Sequence, residues 1–250
     1  MKRRHRKKRP DRPTRRRNKR ITMYAHIAEH IIRWLPGCLI FLLSACSQSA
    51  GHNPANTAAR SDSLLEQERI ERSWDSLRSL ARQVKDGDIV CRTGNDFTSE
   101  TFRKMARRDQ TYSHLGIAMR ENDSIFIYHA LGGEWNPDQL IRRDPLSVFA
   151  EPYNNNGAGL FRFANADSFI GNLKAQIEKA RKDSVRFDMS FSLSSNDRMY
   201  CAEFVLKCIQ WGSLEQIRFQ PSRMGSIDYV AVDDIILHPA CRPITRVVYK

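Results

Sequence analysis

The 250-residue chain has no internal repeat, no cysteine pair at zinc-ligand spacing and no apolar run long enough to span a bilayer comfortably. The longest such run lies between Trp34 and Ala45, well short of the roughly 20 residues that a spanning helix needs. These absences exclude a polytopic membrane protein and a zinc module, so no metal and no cofactor is expected. Acidic residues are scarce only at the start: residues 1–20 hold thirteen Lys/Arg, one acid (Asp11) and no aromatic. Against a total charge of +13, that tail leaves residues 21–250 close to neutral. A polyanion-binding domain spreads basic side chains over a folded face. The excess here sits in one low-complexity tail, so nucleic acid is set aside as a partner.

What is present begins with an export pattern. Trp34-Leu-Pro-Gly-Cys-Leu-Ile-Phe-Leu-Leu43 follows a basic flank and precedes small residues at Ser44-Ala45-Cys46, as in a cleaved signal peptide. Leu43-Ser-Ala-Cys46 resembles a bacterial lipobox, which implies that Cys46 is acylated and becomes the first mature residue. A start at Met23 gives a signal of ordinary length, whereas Met1 gives an unusually long basic lead-in. The expected organisation is a lead-in and signal over 1–45, a lipid-anchored tether over 46–60 and one domain over 61–250. The expected location is the bacterial envelope, facing the periplasm. Four cysteines then remain in the mature chain, Cys91, Cys201, Cys208 and Cys241, too scattered to demand disulfides.

Within the domain, Ser63-Leu-Leu-Glu66 has capping-box spacing, and Ile70, Trp74, Leu77, Ala81 and Val84 recur along one helical face that ends at Asp86-Gly87. Strands are expected at 88–92, 112–119, 124–131, 159–163 and 244–249, with further helices at 99–108, 167–182 and from near Met199 to Gly212. Helices at both ends of hairpin-linked strands indicate an α+β domain, an antiparallel sheet or small barrel packed against helices.

Cys201 stands at the expected first turn of the last of these helices. Backbone N–H groups and the positive helix end favour a thiolate there, and such a cysteine is expected to react below the pH of an ordinary thiol. A nucleophile also needs a base. On the first hairpin strand His114 shares a face with Gly116 and Ala118, small residues past which the Cys201 helix is expected to approach. A two-residue turn at Glu121-Asn122 sets 114 opposite 129, and a four-residue turn sets 129 opposite 116. Both place His114 and His129 on one face; a three-residue turn separates them. One imidazole would take the thiol proton, the other or a carboxylate would orient it, and the Cys201 amide would contribute to an oxyanion hole.

Five ordered segments, Gly87-Asp-Ile-Val90, Tyr112-Ser-His-Leu-Gly-Ile117, Tyr128-His-Ala130, Phe187-Asp-Met-Ser-Phe191 and Tyr200-Cys-Ala-Glu-Phe-Val205, resemble the motifs of permuted papain-like amidases of the YaeF/YiiX type, relatives of the NlpC/P60 hydrolases. The resemblance spans roughly residues 85–210 and includes histidine preceding cysteine, the permuted order. It implies a circularly permuted papain-like fold with Cys201 as nucleophile, His114 as base and a third polar residue from the next strand. The YiiX-like pattern commonly has a carboxylate where His129 stands; a histidine occurs there in the lecithin:retinol acyltransferase-like group, and Glu134 is the reserve third member.

Other residues are read more plainly. Glu203 is expected to make a structural hydrogen bond, and Cys208 and Cys91 to pack. Asp188 either lines the cleft or caps a turn, Trp135 and Tyr153 sit in loops, and Asp233-Asp234 reads as a solvated turn. The expected activity is a lipid-anchored cysteine hydrolase acting on an amide bond of a peptide or cell-wall fragment. A lipid acyltransferase or thioesterase of the same fold and a non-catalytic binding lipoprotein are the alternatives. The sequence leaves the oligomeric state open.

Overall fold

A computed structural model describes residues 54–133, 135–225 and 227–250. The basic lead-in, the signal segment, Cys46 and Glu134 lie outside the described residues. In chain order the elements are α1 (Pro54–Ala81), β1 (Ile89–Gly94), α2 (Phe97–Arg103), β2 (His114–Glu121), β3 (Ser124–His129), β4 (Arg142–Pro145), α3 (Leu146–Phe149), β5 (Asn155–Phe163), α4 (Ala166–Lys182), α5 (Cys201–Gly212), β6 (Ser222–Met224), β7 (Ile227–Tyr229), α6 (Val232–Ile236) and β8 (Cys241–Val248). No helix among the described residues is long and apolar enough to cross a membrane.

Six strands form one antiparallel sheet in the order β4-β3-β2-β1-β5-β8. Alternation along the strands gives the sheet two apolar faces. Leu115, Ile117 and Met119 of β2 join α4 and α5 through Leu173, Phe204 and Val205 in the larger core. Ala118, Val90 and Ile127 face the other way, onto Leu77 and Leu80 of α1 and Phe149 of α3. The α+β expectation therefore holds.

Several boundaries differ from the sequence reading for local reasons. Helix α1 begins at Pro54 rather than Ser63, so part of the segment expected as a tether is helical, in keeping with proline at a helix start and the alanines after it. Helix α2 starts two residues early because the Asp96 carboxylate accepts the Ser99 N–H at 3.0 Å. Strand β8 starts at Cys241 and tolerates Pro243 because it is an edge strand beside a register shift in β5. Asp233 is buried, not solvated: it accepts the backbone N–H groups of Arg107 and Arg108 at 3.0 and 2.8 Å, tying the chain after α2 to α6.

Candidate active site

The hairpin β2–β3 pairs Ile117 with Tyr128 and Glu121 with Ser124, leaving Asn122-Asp123 as the loop. Asn122 takes a positive φ of 53°, which asparagine tolerates better than most residues. This pairing is the register expected for the wider turn, with His129 at the position across from Gly116, and it keeps both histidines on one face. A Cβ on Gly116 would lie 2.9 Å from the His129 Cβ, so the glycine gives His129 its room.

His114 Nε2 and His129 Nδ1 are 2.8 Å apart, and His129 Nε2 is 3.1 Å from Asp144 Oδ2. Asp144 lies on β4, whose register sets it opposite Ile127 and sets Arg142 opposite His129. The Arg142 guanidinium reaches the same carboxylate oxygen at 2.7 Å. His129 foremost, then Arg142, holds the Asp144 carboxyl at about 2 despite partial burial. An ionised Asp144 accepts from His129 Nε2–H, so His129 Nδ1 is the acceptor for His114 Nε2–H, and His114 Nδ1 is left with its lone pair free. One charge thus fixes both tautomers. Both rings are buried against Phe149 of α3. Burial first, then the charges of Arg92, His129 and Arg142, pushes His114 well below the ordinary histidine range. Burial likewise lowers His129, with Asp144 opposing it.

Cys201 is the first residue of α5, and it packs against the core on the Leu115 face. Helix α5 therefore does not approach over Gly116 and Ala118; it covers the opposite face, where bulky Leu115 and Ile117 supply the contact. The thiol lies beside the Leu115 N–H, one residue along from His114, and within the field of Arg92, which pairs with His114 across β1 and β2. Cys201 thus lies on the Leu115 side of the start of β2, whereas His114 packs against Phe149 on the other side. No hydrogen bond joins the Cys201 thiol to His114 among the described residues. Burial pushes the thiol up to about 11, outweighing the N–H groups of Ala202 and Cys201, the Arg92 charge and the Leu115 N–H. Burial thus opposes the expected low-pKa thiolate: desolvation of the first helical turn exceeds the helix-end field.

A small pocket beside Cys201 is lined by Phe102, Met105, Phe191, Tyr200, Val230 and Val232. The Tyr200 hydroxyl accepts the Val230 N–H at 2.7 Å, and Asp233 anchors the opposite wall.

The remaining candidates have structural surroundings. Glu203 is fully buried, bonded to the Tyr200 N–H at 3.3 Å and to Lys207 Nζ at 2.7 Å. Asp188 caps a turn through the N–H groups of Ser190 and Ser192, each at 2.8 Å. Cys91 and Cys208 are buried, whereas Trp135 and Tyr153 are exposed. Sequence reasoning missed Asp144. Its signal was weak: a short charged strand, Arg142-Arg-Asp-Pro145, with no alternation of apolar residues.

Together the antiparallel sheet, the helices on it and the strand histidine preceding a helix-start cysteine are consistent with a permuted papain-like fold. The chain is similar in fold to the crystal structure of metalloprotein yiiX from Escherichia coli O157:H7, DUF1105, with a TM-score of 0.55 and 16% identity over 66% of this chain and 99% of that one. No family model and no curated protein matches the chain. Among the described residues, no group of three or more His, Cys, Asp or Glu is arranged to hold a metal ion. In the Asp144–His129–His114 chain the nitrogens face one another in series instead of converging on a point, so these residues do not fit a metal.

Proposed function

We propose that this chain is a cysteine hydrolase that cleaves an amide or related acyl bond, with Cys201 as nucleophile, His114 as base and His129 as its positioning residue, backed by Asp144. The observation that supports this most directly is the hydrogen-bonded series from Asp144 to His114, which leaves one imidazole nitrogen free at the residue next to Leu115, whose N–H the Cys201 thiol adjoins. With thiol and imidazole both neutral at rest, the proton leaves the sulfur as the substrate is attacked. His114 Nδ1 takes it while Sγ bonds to the carbonyl carbon, and the N–H groups of Cys201 and Ala202 face the developing oxyanion. The imidazolium then protonates the departing amine, and water hydrolyses the thioester by the reverse path.

A second reading, acyl transfer or thioester hydrolysis as in an acyltransferase or thioesterase, rests on the same acyl-enzyme, which an acceptor other than water can resolve. Acylation of Cys46 and attachment to a membrane of the bacterial envelope remain part of the proposal, resting on the Leu43-Ser-Ala-Cys46 motif.

The test is to trap the acyl-enzyme with an activated ester and map the adduct by mass spectrometry. Mass should appear on Cys201 at neutral pH and vanish in His114→Ala. A product amine acceptor that captures the acyl group faster than water would favour the transferase reading. Equal labelling of all cysteines, or none on Cys201, would remove both.

A further inference from the structure

Arg92 is the one cation beside the reacting groups whose charge the described residues leave without a carboxylate. Other buried or half-buried cations have one: Arg162 with Asp88 at 2.6 Å, Lys207 with Glu203 at 2.7 Å and Arg142 with Asp144 at 2.7 Å. The Arg92 Nε is buried and has no hydrogen-bond partner. The carboxylates whose fields reach it, Asp96 and Glu151, are engaged elsewhere. Asp96 holds the Ser99 N–H and hydroxyl, and Glu151 holds Asn154 and the Tyr153 N–H. Arg92 is also held in place, across the strand pair from His114 and with Cζ 5.4 Å from the Phe149 ring centroid. A guanidinium sequestered without a counter-charge is costly, and a fixed one offers a planar donor fork suited to carboxylate or phosphate.

We infer that Arg92 is a binding site for an anionic group, a carboxylate or a phosphate, that the substrate carries close to the bond attacked by Cys201. The inference rests on the reading of Cys201 and His114 as the reacting pair, and it adds a charge requirement to the substrate class. The oxyanion has backbone donors of its own at the start of α5, so a permanent negative group is the better partner for Arg92.

Two measurements separate this site from the catalytic reading. In the first, the Cys201→Ala protein is titrated with glutarate and with inorganic phosphate by calorimetry. Saturable binding should disappear in Cys201→Ala/Arg92→Gln and persist weakly in Cys201→Ala/Arg92→Lys, and the tighter of the two ions identifies the anion. In the second, p-nitrophenyl butyrate and p-nitrophenyl hydrogen glutarate are compared. The charged ester should be preferred in kcat/KM by about 10- to 100-fold, the scale of one charge-assisted pair. Arg92→Gln should bring that ratio close to one, with Arg92→Lys between. Loss of activity towards both esters in equal proportion would overturn the inference and make Arg92 a stabiliser of the thiolate or oxyanion. Binding that ignores Arg92 would also overturn it. Arg92-dependent binding without turnover of either ester would keep the anion site and remove the hydrolase.

Discussion

Two buried polar chains, one in the first turns of α5 and one on strands β2 to β4, differ in how they end. Tyr200, Glu203 and Lys207 form a closed set: the Glu203 carboxylate takes a backbone N–H and the ammonium, and Lys207 also donates to the Ser195 carbonyl. Asp144, His129 and His114 form an open series, satisfied at every joint except the last nitrogen. A closed set holds a backbone in place; an open one has capacity left for a proton. That difference separates the acidic residue next to the cysteine in sequence, which is structural, from the distant Asp144, which stands behind the proposed base.

The largest expected effect breaks the open series at its free end. His114→Ala should lower kcat/KM on an activated ester by about 10²- to 10⁴-fold, with the melting temperature changed far less; a mutant of unaltered activity would remove the base. Glu203→Gln should reverse that pattern, because it leaves the Lys207 ammonium buried without its charge. Removing one partner of a buried pair costs about 3–5 kcal/mol, so denaturant unfolding should show a large loss while the remaining folded protein still acylates at Cys201. Finding the activity of Glu203→Gln lost with stability intact would place Glu203 in the chemistry. Next in size, His129→Ala should cost roughly 10- to 100-fold, the scale for losing an imidazole's outer partner, and His129→Glu should retain more activity than His129→Ala. Asp144→Asn should cost less than Asp144→Ala, since an amide oxygen in place of Oδ2 still accepts from His129 and Arg142.

How much of this was legible beforehand follows from where the information sits. The alternation of Leu115, Ile117 and Met119 against His114, Gly116 and Ala118 set the hairpin faces, and the observed register, with His129 across from Gly116, is one of the two that this parity allowed. The helix start at Cys201 was legible from the residues before it. Strand β4 was not, because edge strands are short, charged and tolerant of proline, features that read as loop. The same alternation that paired the histidines also sends their side chains away from α5, and only the packing of Leu115 and Ile117 shows which face the helix takes. The thiol differs for a related reason: the helix-end field is visible in sequence, whereas the burial that outweighs it is a property of the assembled core.

The smallest expected effect sharpens the comparison through pH. Burial raises Glu203 from the ordinary 4.5 to about 7, so between those values the folded protein binds more protons than the unfolded chain. This carboxyl makes stability rise as pH falls through 7 towards 4.5. His114 and His129 are lowered from 6.5, so below that pH the unfolded chain binds more protons and stability falls as the medium acidifies. The two chains oppose each other over the window between about pH 5 and 6.5, each proton worth about 1.4 kcal/mol per pH unit. Two histidines against one carboxyl leave a net loss, so wild-type stability should fall on acidification, but by less than the histidines alone would impose. Glu203→Gln should steepen the loss on acidification, and His114→Asn/His129→Asn should turn it into a gain. Stability measured by urea titration at pH 5.0, 5.5, 6.0 and 6.5 reads the sign directly. Parallel curves for the three proteins would mean that neither chain changes its protonation on folding and that the contrast between them is geometric alone.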